Sequence, residues 1–219
     1  MKKILLLLLI FTIAIPLFAQ KNTNDEEIQT IFGDGEFTSG GYGCPEIKYT
    51  QFLDENALMV GGRGGWIINH TFSIGGAGYG LVTSHPVYYD SNYNEQNYLR
   101  VGWGGVFLQY TNSSNKLVHF TVNSLIGAGF SACMPSFNQM DNNRGNMNSD
   151  FGGSGFFIFE PGIGVELNVL KFFRVELGGS YRIIAGLDMP VNPDTNIPYV
   201  VKSDMGNWSV NLAFKFGEF

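Results

Sequence analysis

FRVELGGSYRII, residues Phe173–Ile184, separates into two unlike faces when it is read two residues at a time. Phe173, Val175, Leu177, Gly179, Tyr181 and Ile183 fall on one side; Arg174, Glu176, Gly178, Ser180 and Arg182 fall on the other. A period of two is the mark of a β-strand between two environments. One face is bulky and apolar, while the other mixes full charges with very small residues. A soluble sandwich or a lipocalin-type barrel buries the bulky face. A membrane barrel turns it to lipid and closes the charged face into a narrow lumen. About twelve residues at ~3.3 Å each, tilted by ~40°, rise close to the ~25–30 Å of a bilayer core.

Composition favours the membrane reading. Charged residues make up 15% of the 219-residue chain, against ~25% in ordinary soluble domains. Aromatics also reach 15%, and there are 29 glycines. After the leader, no run approaches the ~18 consecutive apolar residues of a spanning helix, and membrane strands escape such a scan because only every second residue is apolar. The leader itself has the three parts of a signal peptide: Lys2 and Lys3, the apolar run Ile4–Ile15, and Pro16 before a cut at Ala19–Gln20. Its removal takes two of the 13 basic residues and none of the 19 acids, leaving a net charge near −8. Nucleic acid is a poor partner for such a surface.

Residues 20–40 are polar and acidic and read as a periplasmic lead-in; residues 41–219 read as a barrel. Eight alternating runs are expected: Gly41–Phe52, Ala57–Ile68, Thr71–Thr83, Tyr98–Tyr110, Leu117–Phe130, Gly155–Val169, Phe173–Ile184 and Met205–Phe216. In the third, the parity slips around Gly75–Gly78, which suggests a bulge or a glycine kink. Connections are short after the second, fourth and sixth runs and long after the third, fifth and seventh. Only the first, Leu53–Asn56, is short where length is allowed. Short turns on one side and long loops on the other fit an eight-stranded antiparallel up-and-down transmembrane β-barrel.

The leader, the eight runs, the loop asymmetry and the aromatic ending NLAFKFGEF together resemble small bacterial outer-membrane β-barrels of the OmpA/OmpX type. The blocks GGRGGWIINHTFSIGGAGYGL (Gly61–Leu81) and EPGIGVELNVLKFFRVELGGSYR (Glu160–Arg182) carry the likeness best. The resemblance implies a fold and an outer-membrane location, with outer-membrane lipid, lipopolysaccharide and the barrel-assembly machinery as partners. It implies hardly any activity. One departure concerns the end of the chain: Phe219 is one step out of phase with the apolar face through Leu212, Phe214 and Phe216.

Parity assigns Glu46, Lys48, Arg63, Arg100, Glu160, Glu166, Arg174, Glu176, Arg182 and Lys215 to the lumen. Six basic and four acidic groups are close to balance, and a lumen of eight strands holds little beyond side chains, so an ion-pair network is expected. The competing reading is a switchable gate in a narrow channel. Gly61, Gly65, Gly102, Gly104, Gly127, Gly162 and Gly164 are placed inward as space-savers. GGRGG and GGAGYG lack the helix N-terminus that a phosphate cradle needs. No cofactor, metal site or catalytic group is assigned. His70, His85 and His119 have no metal-ligand spacing, and His119 reads as a lumen hydrogen-bonding residue. Ser84, His85 and Asp90 share one loop and could form a nucleophilic trio at the rim. Trp66, Trp103 and Trp208 are expected in interfacial girdles. The acidic loops attract divalent cations or are simply solvated. Cys44 and Cys133 lie at opposite ends of the cylinder and are expected as two free thiols, because bridging needs Cα atoms within ~7 Å.

Overall fold

Ten strand segments close into one antiparallel ring. In this computed structural model the described residues are 37–90, 95–135, 153–189, 191 and 198–219. The expected signal peptide and most of the lead-in lie outside them. The segments are β1 (Ser39–Phe52), β2 (Glu55–Ile68), β3 (Phe72–Leu81), β4 (Pro86–Asp90), β5 (Glu95–Asn112), β6 (Val118–Pro135), β7 (Gly153–Leu170), β8 (Phe173–Tyr181), β9 (Ile183–Ala185) and β10 (Trp208–Glu218). A single helical turn, α1 (Lys202–Met205), precedes β10. Each wall pairs with its chain neighbour, and β1 pairs with β10 to shut the ring. β4 prolongs β3 along β5, and β9 prolongs β8 along β7, so the ten segments make eight walls.

The register fixes the size of the cylinder. Ser39 lies opposite Ile68, Ile68 opposite Phe72, Phe72 opposite Tyr110 and Tyr110 opposite Val122. The path continues through Ile163, Gly179 and Val210 and returns to β1 at Tyr49, ten residues above its start. A stagger of ten over eight walls corresponds to a tilt of about 40° and a radius of about 8 Å. Such an interior has room for side chains and little else.

Left-handed backbone turns close the first two hairpins: the two-residue turn Leu53–Asp54 (φ 52° and 60°), and Asn69–His70 (φ 49° and 53°) within the three-residue connection 69–71. Their handedness matches the twist of the strands they join. The lower ends of the walls are level. Above, β5, β6 and β7 run 18 residues each, whereas β1 and β2 have 14. One half of the outer rim therefore stands on the order of 10 Å higher than the other.

Sidedness is the one the alternation demands. Phe157, Ile163, Leu177, Trp208 and Val210 are exposed on the outside, while Glu160, Glu166, Glu176, Arg182 and Lys215 are buried within. Trp66, Tyr110, Phe120 and Phe216 form a lower aromatic belt, and Tyr49, Phe130, Phe157, Tyr181 and Trp208 an upper one. The ladder sets these belts roughly 20–25 Å apart, the height of an outer-membrane apolar band.

Several expectations are corrected. The β3 ladder runs from Phe72 to Leu81 without a shift on either side, so there is no bulge. The apparent slip arises because Tyr79 points inward. On β5 the faces are exchanged: Leu99, Val101, Trp103 and Phe107 are buried inside and Arg100 is on the outer face. Gly102 and Gly104 go outward with it, leaving Gly105 as the inward glycine, while Gly61, Gly65, Gly127, Gly162 and Gly164 line the interior. Trp103 belongs to the core and to no girdle. The loop expected over Ser84–Asn97 contains β4 and the start of β5, and β10 begins at Trp208, after α1.

Candidate functional site: a lumen filled from end to end

Each of the eight walls sends alternate residues into the lumen, among the described side chains, and their chemistry changes with height. In the lower two-thirds, eight residues form one chain of alternating charge. Glu160 meets Lys48, which lies 3.8 Å from Glu46. Glu46 lies 3.2 Å from Arg63 Nε as an ion pair, and Arg63 reaches Glu176 at 2.7 Å. Glu176 and Glu166 share the ammonium of Lys215, and Arg174 closes the series 3.0 Å from Glu166. All eight are buried. Four carboxylates face four cations, so no charge in the series lacks a counterpart. Buried ions are tolerable only when paired and hydrogen-bonded in this way.

Neutral groups complete the network. The Tyr79 hydroxyl donates to Glu46 (3.1 Å) and Ser180 to Glu160 (2.6 Å). Lys215 also donates to Gln109 (3.1 Å), and His119 Nε2 meets Glu166 at 2.9 Å. The Lys48 ammonium lies 3.8 Å from the centre of the Tyr79 ring, and the Arg174 guanidinium 3.9 Å from that of Phe219. The Phe219 ring also lies tilted against that of Tyr42 (centroids 6.4 Å apart), so the out-of-phase last residue caps the lower mouth from inside. A void of about 10 Å³ remains there, beside Ser73, Gln109 and Lys215. One water fills such a space.

Above Glu160 the lumen is apolar. Phe52, Met59, Leu99, Trp103, Phe156 and Ile184 meet at its axis, and Met189, Val200 and Met205 fold over them from the segment between β9 and β10. Arg182 stands at the boundary, fully buried. Its guanidinium is sandwiched between Phe52 (4.6 Å) and Trp103 (4.5 Å). It donates to the Met205 carbonyl (2.7 Å), to Thr50 (3.0 Å) and to Ser209 (3.2 Å). Among the described residues it has no carboxylate partner.

Nine of the ten charges assigned to the lumen thus point into it, and Arg100 does not. Across the neighbouring strands β7 and β8, Arg174 pairs with Glu166, while Glu160 takes Lys48. Tyr79, Gln109, Ser180 and the aromatic plug carry no charge and are invisible to a charge-based reading. At the rim, His85 is buried with Nε2 2.8 Å from Thr83 Oγ1 and Nδ1 3.1 Å from Glu55. Its ring nitrogens face Thr83 and Glu55 rather than Ser84, and the Asp90 side chain lies outside those described. The Thr83 hydroxyl also receives the Leu58 N–H (3.2 Å), so this trio ties the β3–β4 connection to the first hairpin. Cys44 and Cys133 are free and buried, and the ladder sets them on the order of 25 Å apart along the axis.

No protein-family model matches the sequence, and no curated protein does either. Among solved structures, Neisserial surface protein A superimposes with a TM-score of 0.50 at 8% identity, covering 83% of this chain and 99% of its own. The fold is that of a small outer-membrane β-barrel. Ail, the attachment invasion locus protein of Yersinia pestis, solved with the heparin analogue sucrose octasulfate, covers 81% of this chain and 98% of its own at 10% identity and a TM-score of 0.47. At these identities the shared feature is the barrel alone.

Proposed function

We propose that this chain is an integral protein of a bacterial outer membrane with a structural or surface-interaction role, and that at rest it conducts no solute. The observation that carries this reading is the opposition of the two sides of the wall. Lipid is the solvent that suits an outer surface of exposed Phe, Ile, Leu and Val between two aromatic belts. The filled lumen speaks against a transport path, and the reading assigns no catalytic role. Lipid and lipopolysaccharide surround the belts, and the barrel-assembly machinery inserts them. The raised β5–β7 wall is the part offered to partners outside the cell.

The test is fractionation followed by electrophoresis. The protein is expected in the detergent-extracted membrane fraction, with a band that shifts on boiling as a folded barrel unfolds. Recovery in the aqueous extract without detergent would overturn the reading. A channel is the rival class, and discrete steps from the purified wild-type protein in planar bilayers would establish it.

A further inference from the structure

The lumen changes from paired ions to hydrocarbon at the height of Arg182, and the two parts are built differently. The lower part is made only of side chains on the walls. The upper part is partly a strap: Val200 (1% exposed) and Met205 (0% exposed) come from the segment between β9 and β10 and belong to no ladder. The Leu53 N–H donates to the Asp204 carbonyl (3.1 Å), the Arg182 side chain donates to the Met205 carbonyl, and the Val201 N–H donates to Asp204 within the strap (2.7 Å). None of these three is a bond between neighbouring walls of the ring; the ladder of β8 and β10 is continued only at Asn207, whose carbonyl accepts the Arg182 backbone N–H (3.0 Å) and whose amide reaches Gln51 (3.4 Å).

We propose that the barrel is closed by two seals in series, and that the strap 198–206 is a movable upper seal over a fixed lower one. The inference rests on the membrane reading above. The strap can leave while all eight walls remain paired, because its bonds are additional to the ladder. The ion series cannot leave, because its members are spread over β1, β2, β7, β8 and β10. Displacing the strap would uncover Arg182, the one lumen cation without a carboxylate among the described residues. The opened mouth is then a shallow vestibule lined by a cation and two aromatic rings, which suits small anions. Below it the alternating ions still bar passage.

Native Cys133 reports on the upper seal, since it is packed in the same apolar cluster as Val200 and Met205. The upper-seal variant is Val200→Ser with Met205→Ser, and the lower-seal variant is Glu176→Ala with Lys215→Ala, which removes one charge of each sign. In detergent-folded protein, the upper variant should label at Cys133 with a charged maleimide while the wild type does not. In planar bilayers neither two-site variant should conduct, whereas the combined variant should give discrete steps. Its reversal potential in a KCl gradient should favour chloride, and adding Arg182→Met should abolish that preference. Steps from either two-site variant alone would overturn the series arrangement. A silent combined variant whose band still shifts on boiling would overturn the strap as a seal. If the combined variant does not fold, Cys133 in Val200→Ser alone decides: protection equal to wild type would overturn a movable strap. Steps from the wild type would overturn the closed resting state proposed above and the two seals with it, whereas recovery in the aqueous extract would overturn the membrane reading alone.

Discussion

Lys215 illustrates how a single side chain is fixed by its surroundings. Its ammonium lies between Glu166 and Glu176, which are on neighbouring strands and directly opposite each other in the ladder. Two carboxylates so placed repel, and the lysine turns that repulsion into attraction. Lys215→Met should destabilise the barrel by about 3–5 kcal/mol, because it strands two buried carboxylates near each other. The double variant Glu176→Ala/Lys215→Ala should cost less than the single one, since it removes the pair and leaves Arg63 on Glu46 and Arg174 on Glu166. Urea midpoints in detergent micelles measure both, and equal or larger loss in the double variant would show that the ions do not act as a series. Tyr79→Phe makes a milder case. Removal of its hydroxyl takes one neutral donor from the ionised Glu46, worth about 1–3 kcal/mol on the same scale.

At the scale of the strand, β5 shows both what was legible and what was not. Its lower half carries an unambiguous register: Gln109 and Thr111 alternate with Val106, Leu108 and Tyr110, polar inward and apolar outward. Its upper half has apolar residues on the inner face and glycines with Arg100 on the outer one. The rule that greasy residues face lipid therefore chose the wrong side there. The rule failed because the top of the lumen is itself hydrocarbon, which the sequence of one strand does not reveal. Carrying the parity of Gln109 and Thr111 upward would have corrected it. The same holds for β3, where Ser73 shares the parity of Tyr79. Glycines divide by face as well. A Cβ on inward Gly127 would lie 2.1 Å from the Gly104 carbonyl oxygen, whereas one on outward Gly80 would meet nothing within 4 Å. Gly127→Ala should therefore push β5 and β6 apart and lower the urea midpoint. Gly80→Ala should leave it unchanged or raise stability by about 0.5–1 kcal/mol.

For the molecule as a whole, the order of short and long connections identified the architecture before any side chain was placed. The register of the closing seam was not readable, because pairing of β1 with β10 joins residues at opposite ends of the chain. Nor was the plug, which depends on a loop folding back over the mouth. The two thiols follow from the height of the cylinder. Both are buried, one low in the lumen and one in the apolar cluster at its upper end, so neither should react with a charged maleimide in the folded wild type. Boiling in detergent should release both together, and mass spectrometry of labelled, non-reduced protein would count them. A Cys44–Cys133 crosslink would contradict the strand directions.

The ion series has a consequence for how such a cylinder comes to be closed. Lys48 and Arg63 sit on β1 and β2, and their carboxylates sit on β7 and β8 across the axis. The one carboxylate beside them, Glu46 on β1, balances only one of the two cations, so the rest of the electrostatic gain arrives when the sheet curls shut. A seam that slipped by two residues would keep every greasy group facing hydrocarbon. It would nonetheless leave ammonium and carboxylate groups stranded out of reach of one another. The interior thus proofreads a register that the exterior cannot tell apart.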